Sequence, residues 1–171
     1  YYNTGTVTYT AGTVTTTGST LNVSTTTTLN TNGITWNNII TTAATSTITL
    51  SSDLVFTGTY TITQSGAATI TFAGVGIINS PNGTLQLNGT GANLTITTAL
   101  THNILNMYFN AAGFAIVNSG TWNLYGDLIR NGAGNGRSAT GTINFIGTGS
   151  ILFNGGSTGS FVGTWNINTT G

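Results

Sequence analysis

Ser46-Thr47-Ile48-Thr49-Leu50 is the phrase on which the fold turns. Its apolar residues alternate with threonine, and a period of two carried by β-branched residues specifies a strand. Ile48 and Leu50 then face one side and Thr47 and Thr49 the other. The phrase returns as Ser19-Thr20-Leu21-Asn22-Val23, Ala68-Thr69-Ile70-Thr71-Phe72 and Gly83-Thr84-Leu85-Gln86-Leu87. It comes again as Gly120-Thr121-Trp122-Asn123-Leu124 and Gly141-Thr142-Ile143-Asn144-Phe145. Thr6-Val7-Thr8-Tyr9-Thr10 and Gly12-Thr13-Val14-Thr15-Thr16 follow the same plan and read as strands too.

Strands of about five residues, with turns of about one to three between them, leave no room for the crossovers of βαβ units, which need about 10–12 residues. Self-similarity of this kind marks a solenoid or an array. The expected fold is therefore all-β, a parallel β-solenoid (β-helix) of short strands. Each coil would take about 20–25 residues and stack about 4.8 Å from the last. Asn32-Gly33, Asn82-Gly83, Asn88-Gly89, Asn131-Gly132, Asn135-Gly136 and Asn154-Gly155 supply turn residues that accept positive φ. Asn-Gly is also a strong hairpin signal, so an antiparallel β-sandwich or jelly roll is the competing fold. The one proline, Pro81, is expected in a turn. Residues 99–109 are the least strand-like and are expected to hold a helical turn. Residues 126–141 read as the longest exposed loop.

Composition narrows the function. Thr, Asn and Gly make up about half of the 171 residues, and charged residues are 2%, against about 25% in an ordinary soluble protein. The four charges are Asp53, Asp127, Arg130 and Arg137, and the net charge is zero. Two arginines cannot build the basic track that nucleic acid requires, nor the polybasic patch of an anionic membrane surface. No apolar stretch approaches the roughly 18 residues of a membrane span. Cysteine is absent, which rules out disulfides and thiolate metal sites. Near-zero charge also removes the repulsion that keeps copies apart. The scarcity of lysine and glutamate points to an extracellular or cell-surface setting. The chain starts Tyr1-Tyr2 without a methionine or a signal-type apolar run, so a processed or excerpted chain is expected.

The phrases at residues 1–21 (Tyr1-Tyr2-Asn3-Thr4-Gly5 onward), 29–38 (Leu29-Asn30-Thr31-Asn32-Gly33-Ile34-Thr35-Trp36-Asn37-Asn38) and 165–171 (Trp165-Asn166-Ile167-Asn168-Thr169-Thr170-Gly171) resemble tandem-repeat β-solenoid proteins of bacterial surfaces and phage fibres. The resemblance implies that residues 1–171 form a single β-solenoid module, one repeat unit of a longer fibre. It implies a fibre or adhesin role, on a cell surface or as a virion fibre, and carries no catalytic motif.

Residues with chemical potential are few. Sugar hydrolysis uses two carboxylates about 5–9.5 Å apart, and Asp53 and Asp127 are the only acids. Their plainer reading is a turn position for Asp53 and an ion pair with Arg130 for Asp127. His102 is the sole histidine, too little for a metal site of three or four ligands, and no Gly-x-Ser-x-Gly elbow exists for a nucleophile. Gly132-Ala133-Gly134-Asn135-Gly136-Arg137 lacks the spacing of a phosphate loop. Trp36, Trp122, Trp165, Tyr9, Tyr60, Tyr108 and Tyr125 could stack on surface glycans, but alternation assigns most of them to the core. Thr-x-Thr recurs at Thr6/Thr8, Thr13/Thr15, Thr47/Thr49, Thr61/Thr63 and Thr69/Thr71. An ice-binding ladder needs such pairs once per coil on a single face. The early repeats fall seven residues apart, at Gly5, Gly12 and Ser19, which spreads threonine over every face as scaffold surface. Asn-x-Ser/Thr acceptors at Asn22, Asn82, Asn88, Asn93 and Asn168 matter only where the host glycosylates.

The expected function is a non-enzymatic structural subunit or repeat of an extracellular filament. It needs no cofactor and no metal, and its partners are neighbouring identical units in a homopolymer. The alternatives are a pilus-like β-sandwich subunit polymerised by donor-strand exchange, and a surface adhesin that binds glycan or ice.

Overall fold

The computed structural model describes residues 2–3, 6–42, 44–64, 67–89, 94–110, 115–117, 119–131, 136–138, 141–154 and 164–167. Among them run twenty strands and no helix. The first seven are β1 (Tyr2–Asn3), β2 (Thr6–Thr8), β3 (Thr20–Val23), β4 (Thr27–Asn30), β5 (Thr35–Trp36), β6 (Asn38–Thr41) and β7 (Ser46–Leu50). Next come β8 (Val55–Phe56), β9 (Thr59–Gln64), β10 (Ala68–Gly74), β11 (Asn79–Gly89), β12 (Leu94–Thr98), β13 (Thr101–Phe109) and β14 (Ala115–Val117). The last are β15 (Thr121–Leu124), β16 (Leu128–Asn131), β17 (Gly136–Ser138), β18 (Thr142–Phe145), β19 (Ile151–Asn154) and β20 (Thr164–Ile167).

Each paired strand described here runs parallel to its neighbour. Partners lie one coil apart in sequence, from 18 residues (Leu21 opposite Ile39) to 26 (Ile70 opposite Ile96). The architecture is a parallel β-solenoid. The antiparallel sandwich is thereby excluded as the fold: hairpins join antiparallel neighbours, whereas here the chain leaves each strand and returns a full coil later.

The coil has three faces. The first is the seven-stranded sheet β2-β4-β7-β10-β12-β14-β17. The other two belong to one eleven-stranded sheet folded along a corner. Strand β13 shows the fold line, because Thr101–Ile104 pair with β15 while Met107–Phe109 pair with β16. Strand β11 bends likewise, with a register break between Ser80 and Thr84. The second face thus holds the N-terminal parts of β11 and β13 with β15, β18 and β20. The third holds β1, β3, β6, β9, the C-terminal parts of β11 and β13, β16 and β19. The β5–β8 pair extends the second face through the Leu54–Ile78 bridge.

Alternation sends one side chain of each pair inward, and inward residues stack in columns. On the third face Leu21, Ile39, Tyr60, Leu85, Met107 and Leu128 form one such column, all 2% exposed or less. The neighbouring column includes Thr41, whose hydroxyl bonds the Tyr60 hydroxyl at 2.9 Å inside the core. Burial pushes the Tyr60 phenol up from its ordinary value, against the opposing effect of that bond. Aromatic rings fill the centre, with Tyr60 edge-on to Phe56 at 5.7 Å and to Phe72 at 6.1 Å.

Several local expectations need correction. Residues 99–109 hold no helical turn: Thr101–Phe109 is strand β13. His102, Ile104, Met107 and Phe109 all point inward. The extra residue between Ile104 and Met107 is the corner, and it imitates helical spacing. The stretch 126–141 is not one exposed loop, since it contains β16 and β17. Arg130 is 4% exposed in the inward column after Phe109. Pro81, Asn82 and Gly83 make no separate turn but sit at the register break of β11, a place where a strand tolerates proline. Gly12-Thr13-Val14-Thr15-Thr16 is not a strand. Gly12 has φ 114°, the Tyr9 hydroxyl donates to its carbonyl, and Val14 is 43% exposed. Asn32-Gly33 is the turn the sequence specifies, with φ 44° and 83°. Of the other Asn-Gly pairs, Gly132, Asn135 and Gly155 lie outside the described residues.

Gly74 marks a corner where adjacent coils come close. Its φ is 95°, and a Cβ there would lie 2.2 Å from the Leu50 carbonyl oxygen of the coil beneath. Gly74→Ala should therefore cost about 2 kcal/mol or more, from left-handed strain plus the clash. A urea titration with an unchanged midpoint would contradict this packing.

Candidate functional site

The residues named for chemistry are kept apart by the coil. Asp53 follows the Ser51-Ser52 bend at the corner between first and second faces, and its Oδ1 accepts the Ile77 N–H of the next coil at 3.1 Å. Asp127 lies at the other end of the second face, where its Oδ1 accepts the Ser150 N–H at 2.7 Å. The Leu54–Ile78, Ile78–His102 and His102–Trp122 steps place the two acids three layers apart. That is about 14 Å along the axis, too far for a paired-carboxylate site. Both do the same work, which is to hold the next coil by a backbone N–H.

His102 is fully buried. Its Nδ1 accepts the Ile78 N–H at 2.9 Å, so the proton sits on Nε2, 2.9 Å from Thr98 Oγ1. The ring lies 4.5 Å from Trp122 and 5.8 Å from Phe72. Desolvation lowers its pKa from 6.5 to about 4. The imidazole is neutral and structural, with both nitrogens engaged. No group of three or more metal-ligating side chains occurs among the described residues. No helix there is long and apolar enough to cross a membrane. Gly132–Asn135 of the glycine run lie outside the described residues, and Gly136-Arg137 begin β17. Of the glycosylation acceptors, Asn93 and Asn168 also lie outside them.

Repetition is carried by the outward faces. On the second face Asn79, Asn103, Asn123, Asn144 and Asn166 stand in one column. Each Nδ2 donates to the Oδ1 of the asparagine one coil earlier, at 3.3, 2.9, 2.8 and 2.8 Å. The bonds point one way along the axis and polarise one another. The ladder lies on the outside of the coil, with Asn79, Asn103, Asn123 and Asn144 half-buried between its rungs. Thr101, Thr121, Thr142 and Thr164 form the adjoining column. The recurring Thr-x-Asn phrase, at steps of 20, 21 and 22 residues, is its signature in the sequence. Asn123→Ala removes two ladder bonds and should cost about 1–2 kcal/mol. Thermal melting checks it, and a wild-type midpoint would show the ladder to be idle.

The first face is different. Thr26, Thr47, Thr71 and Thr97 form one column, the Thr47 N–H donating to Thr26 Oγ1 at its start. Thr45, Thr69 and Thr95 form the column on one side of it. Thr6, Thr28 and Thr49 form the column on the other. Threonine does lie on every face, as expected, but the Thr-x-Thr pairs gather mainly on this one. Thr6/Thr8, Thr47/Thr49 and Thr69/Thr71 share this face, and Thr26/Thr28 and Thr95/Thr97 join them. Only Thr61/Thr63 lies on the third face, and Thr13/Thr15 lies in no strand. The early strand-length period of seven hides this gathering, because the register of the face runs at a coil-length period. At the corner with the second face a groove of about 580 Å³ runs past Thr71, Ala73, Thr97, Ala99 and Ser119.

The aromatics divide. Trp122 and Tyr60 are core, Trp36 and Trp165 pack partly against it, and Tyr125 is 37% exposed. Tyr9 and Tyr108 are half-buried outside the core cluster. Comparison with protein-family models, curated proteins and solved structures finds no match for this chain.

Proposed function

We propose that this chain is a structural module of an extracellular protein filament, stacking end to end with further copies of itself. The observation that carries the reading is the Asn column with its one-way bonds up to Asn166. A ladder of this kind gains a bond with every added layer and has no built-in stop. Other features support it. Among the described residues strand β20 pairs with β18 alone, and its last residue, Ile167, is 64% exposed while Trp165 is half-buried. This end of the stack offers backbone bonds and apolar surface to a next layer. The chain visits the faces in the order first, second, third. After β20 on the second face the next strand due lies on the third, where β1 sits, so an added copy would continue the coil in phase. A chain with net charge zero presents little repulsion to such stacking. The paucity of lysine and glutamate fits a cell-surface or virion setting.

Sedimentation of the chain with and without Ile167→Lys tests the reading. The wild type should form concentration-dependent polymers and the variant should remain small, because stacked copies would bring its charge against the next layer. Equal sedimentation of both as monomers at high concentration would contradict the proposal.

A further inference from the structure

We propose that the first face binds ice, through Thr28 of β4, the Thr-x-Thr pairs of β7, β10 and β12, and the threonines just before β4 and β7. This stands on the outward columns rather than on the ends of the stack, so it is independent of the filament proposal. In-register strands repeat at about 4.8 Å across the face, and residues i and i+2 lie about 6.6–6.8 Å apart along each strand. The two spacings run nearly at right angles. Together they set hydroxyl and methyl groups on a rectangular lattice, close in both repeats to the oxygen rows on a prism face of hexagonal ice. Four successive layers keep this arrangement in the centre column.

The groups are also held still. Threonine is stiff at χ1, and Thr28, Thr47, Thr49, Thr69, Thr71, Thr95 and Thr97 are each half-buried by their neighbours one coil away. Ordering them on binding costs little further entropy. One threonine–water contact is weak, but a rigid lattice presents many at once, and their effects multiply. The chemistry of the face leaves few other partners. Its outward positions in these four strands carry no aromatic ring for a sugar and no charge for an anionic polymer. The third face is a built-in comparison. Thr59, Thr61 and Thr63 share a strand, but Thr61 and Thr63 are followed one coil later by Gln86 and Asn88, and no lattice forms.

Thermal hysteresis and ice-crystal shape test the proposal, with folding of each variant confirmed by circular dichroism. The wild-type chain should depress freezing below melting and grow faceted crystals. Thr47→Lys with Thr71→Lys should reduce the hysteresis several-fold, while Thr61→Lys on the third face keeps it. A folded wild type with no hysteresis and round crystals would overturn the proposal, as would equal loss from the third-face variant. A first face that instead pairs copies would also overturn it; this would appear as a dimer that the double variant dissolves, with crystals unshaped.

Discussion

Trp122→Ala should destabilise the solenoid by about 3–5 kcal/mol, the range for emptying a fully buried aromatic site. Trp122 has no exposed surface and packs against His102 and Phe72, at 4.5 and 6.4 Å between ring centres. Its column continues through Ile143 to Trp165, so the cavity would open in the middle of a stack. One feature works against the ring: its Nε1 is buried with no hydrogen-bond partner. Such an orphan costs about 1–3 kcal/mol. Trp122→Phe keeps much of the packing and removes the orphan, so it should fall within about 1.5 kcal/mol of wild type. Chemical denaturation of both variants checks the pair. Because coils interact mainly with their neighbours, hydrogen exchange should place the loss in β13, β15 and β18. An alanine variant as stable as the phenylalanine variant would contradict the core described here.

Acidification should weaken the fold through one residue. The His102 pKa is about 4 in the folded chain, against 6.5 ordinarily. Above 6.5 the ring is neutral folded or unfolded, and its contribution is fully present. Between 6.5 and about 4 the unfolded chain takes up a proton that the native ring refuses, so stability falls as pH falls. The total loss is about 3 kcal/mol, complete once pH has passed below the folded value. His102 is the only histidine and the charges are four in all, so little else titrates in this window. His102→Gln should flatten the dependence between pH 7 and 4.5. A variant that keeps the wild-type slope in urea titrations across that range would reject the assignment.

Much of this was legible in the sequence because strands announce themselves by alternation. Ile48 and Leu50, or Ile70 and Phe72, are buried as their phrase requires. The short turns removed βαβ units and the repetition pointed to a solenoid, while the Asn-Gly pairs kept an antiparallel sandwich open. What alternation cannot give is register, because partners lie 18 to 26 residues apart and the interval varies. That is why threonines that share one face look scattered along the chain, and why the asparagine column is hidden in the sequence. Corners were the other blind spot. At Ile104-Leu105-Asn106-Met107 and at Ser80-Pro81-Asn82-Gly83 the strand turns between faces without ending, which in sequence looks like a helix or a hairpin turn. Two buried polar groups, His102 and Arg130, carried no sequence signal distinguishing them from surface residues; only their neighbours in the column place them.

Cryo-electron microscopy of the chain polymerised at neutral pH tests the central claim most directly. The account predicts filaments one molecule wide, with strands across the axis, layers about 4.8 Å apart, and the three faces and the asparagine column continuing unbroken from one copy into the next. Filaments whose copies meet side by side, or in which the coil is interrupted and rotated out of phase at each junction, would contradict it.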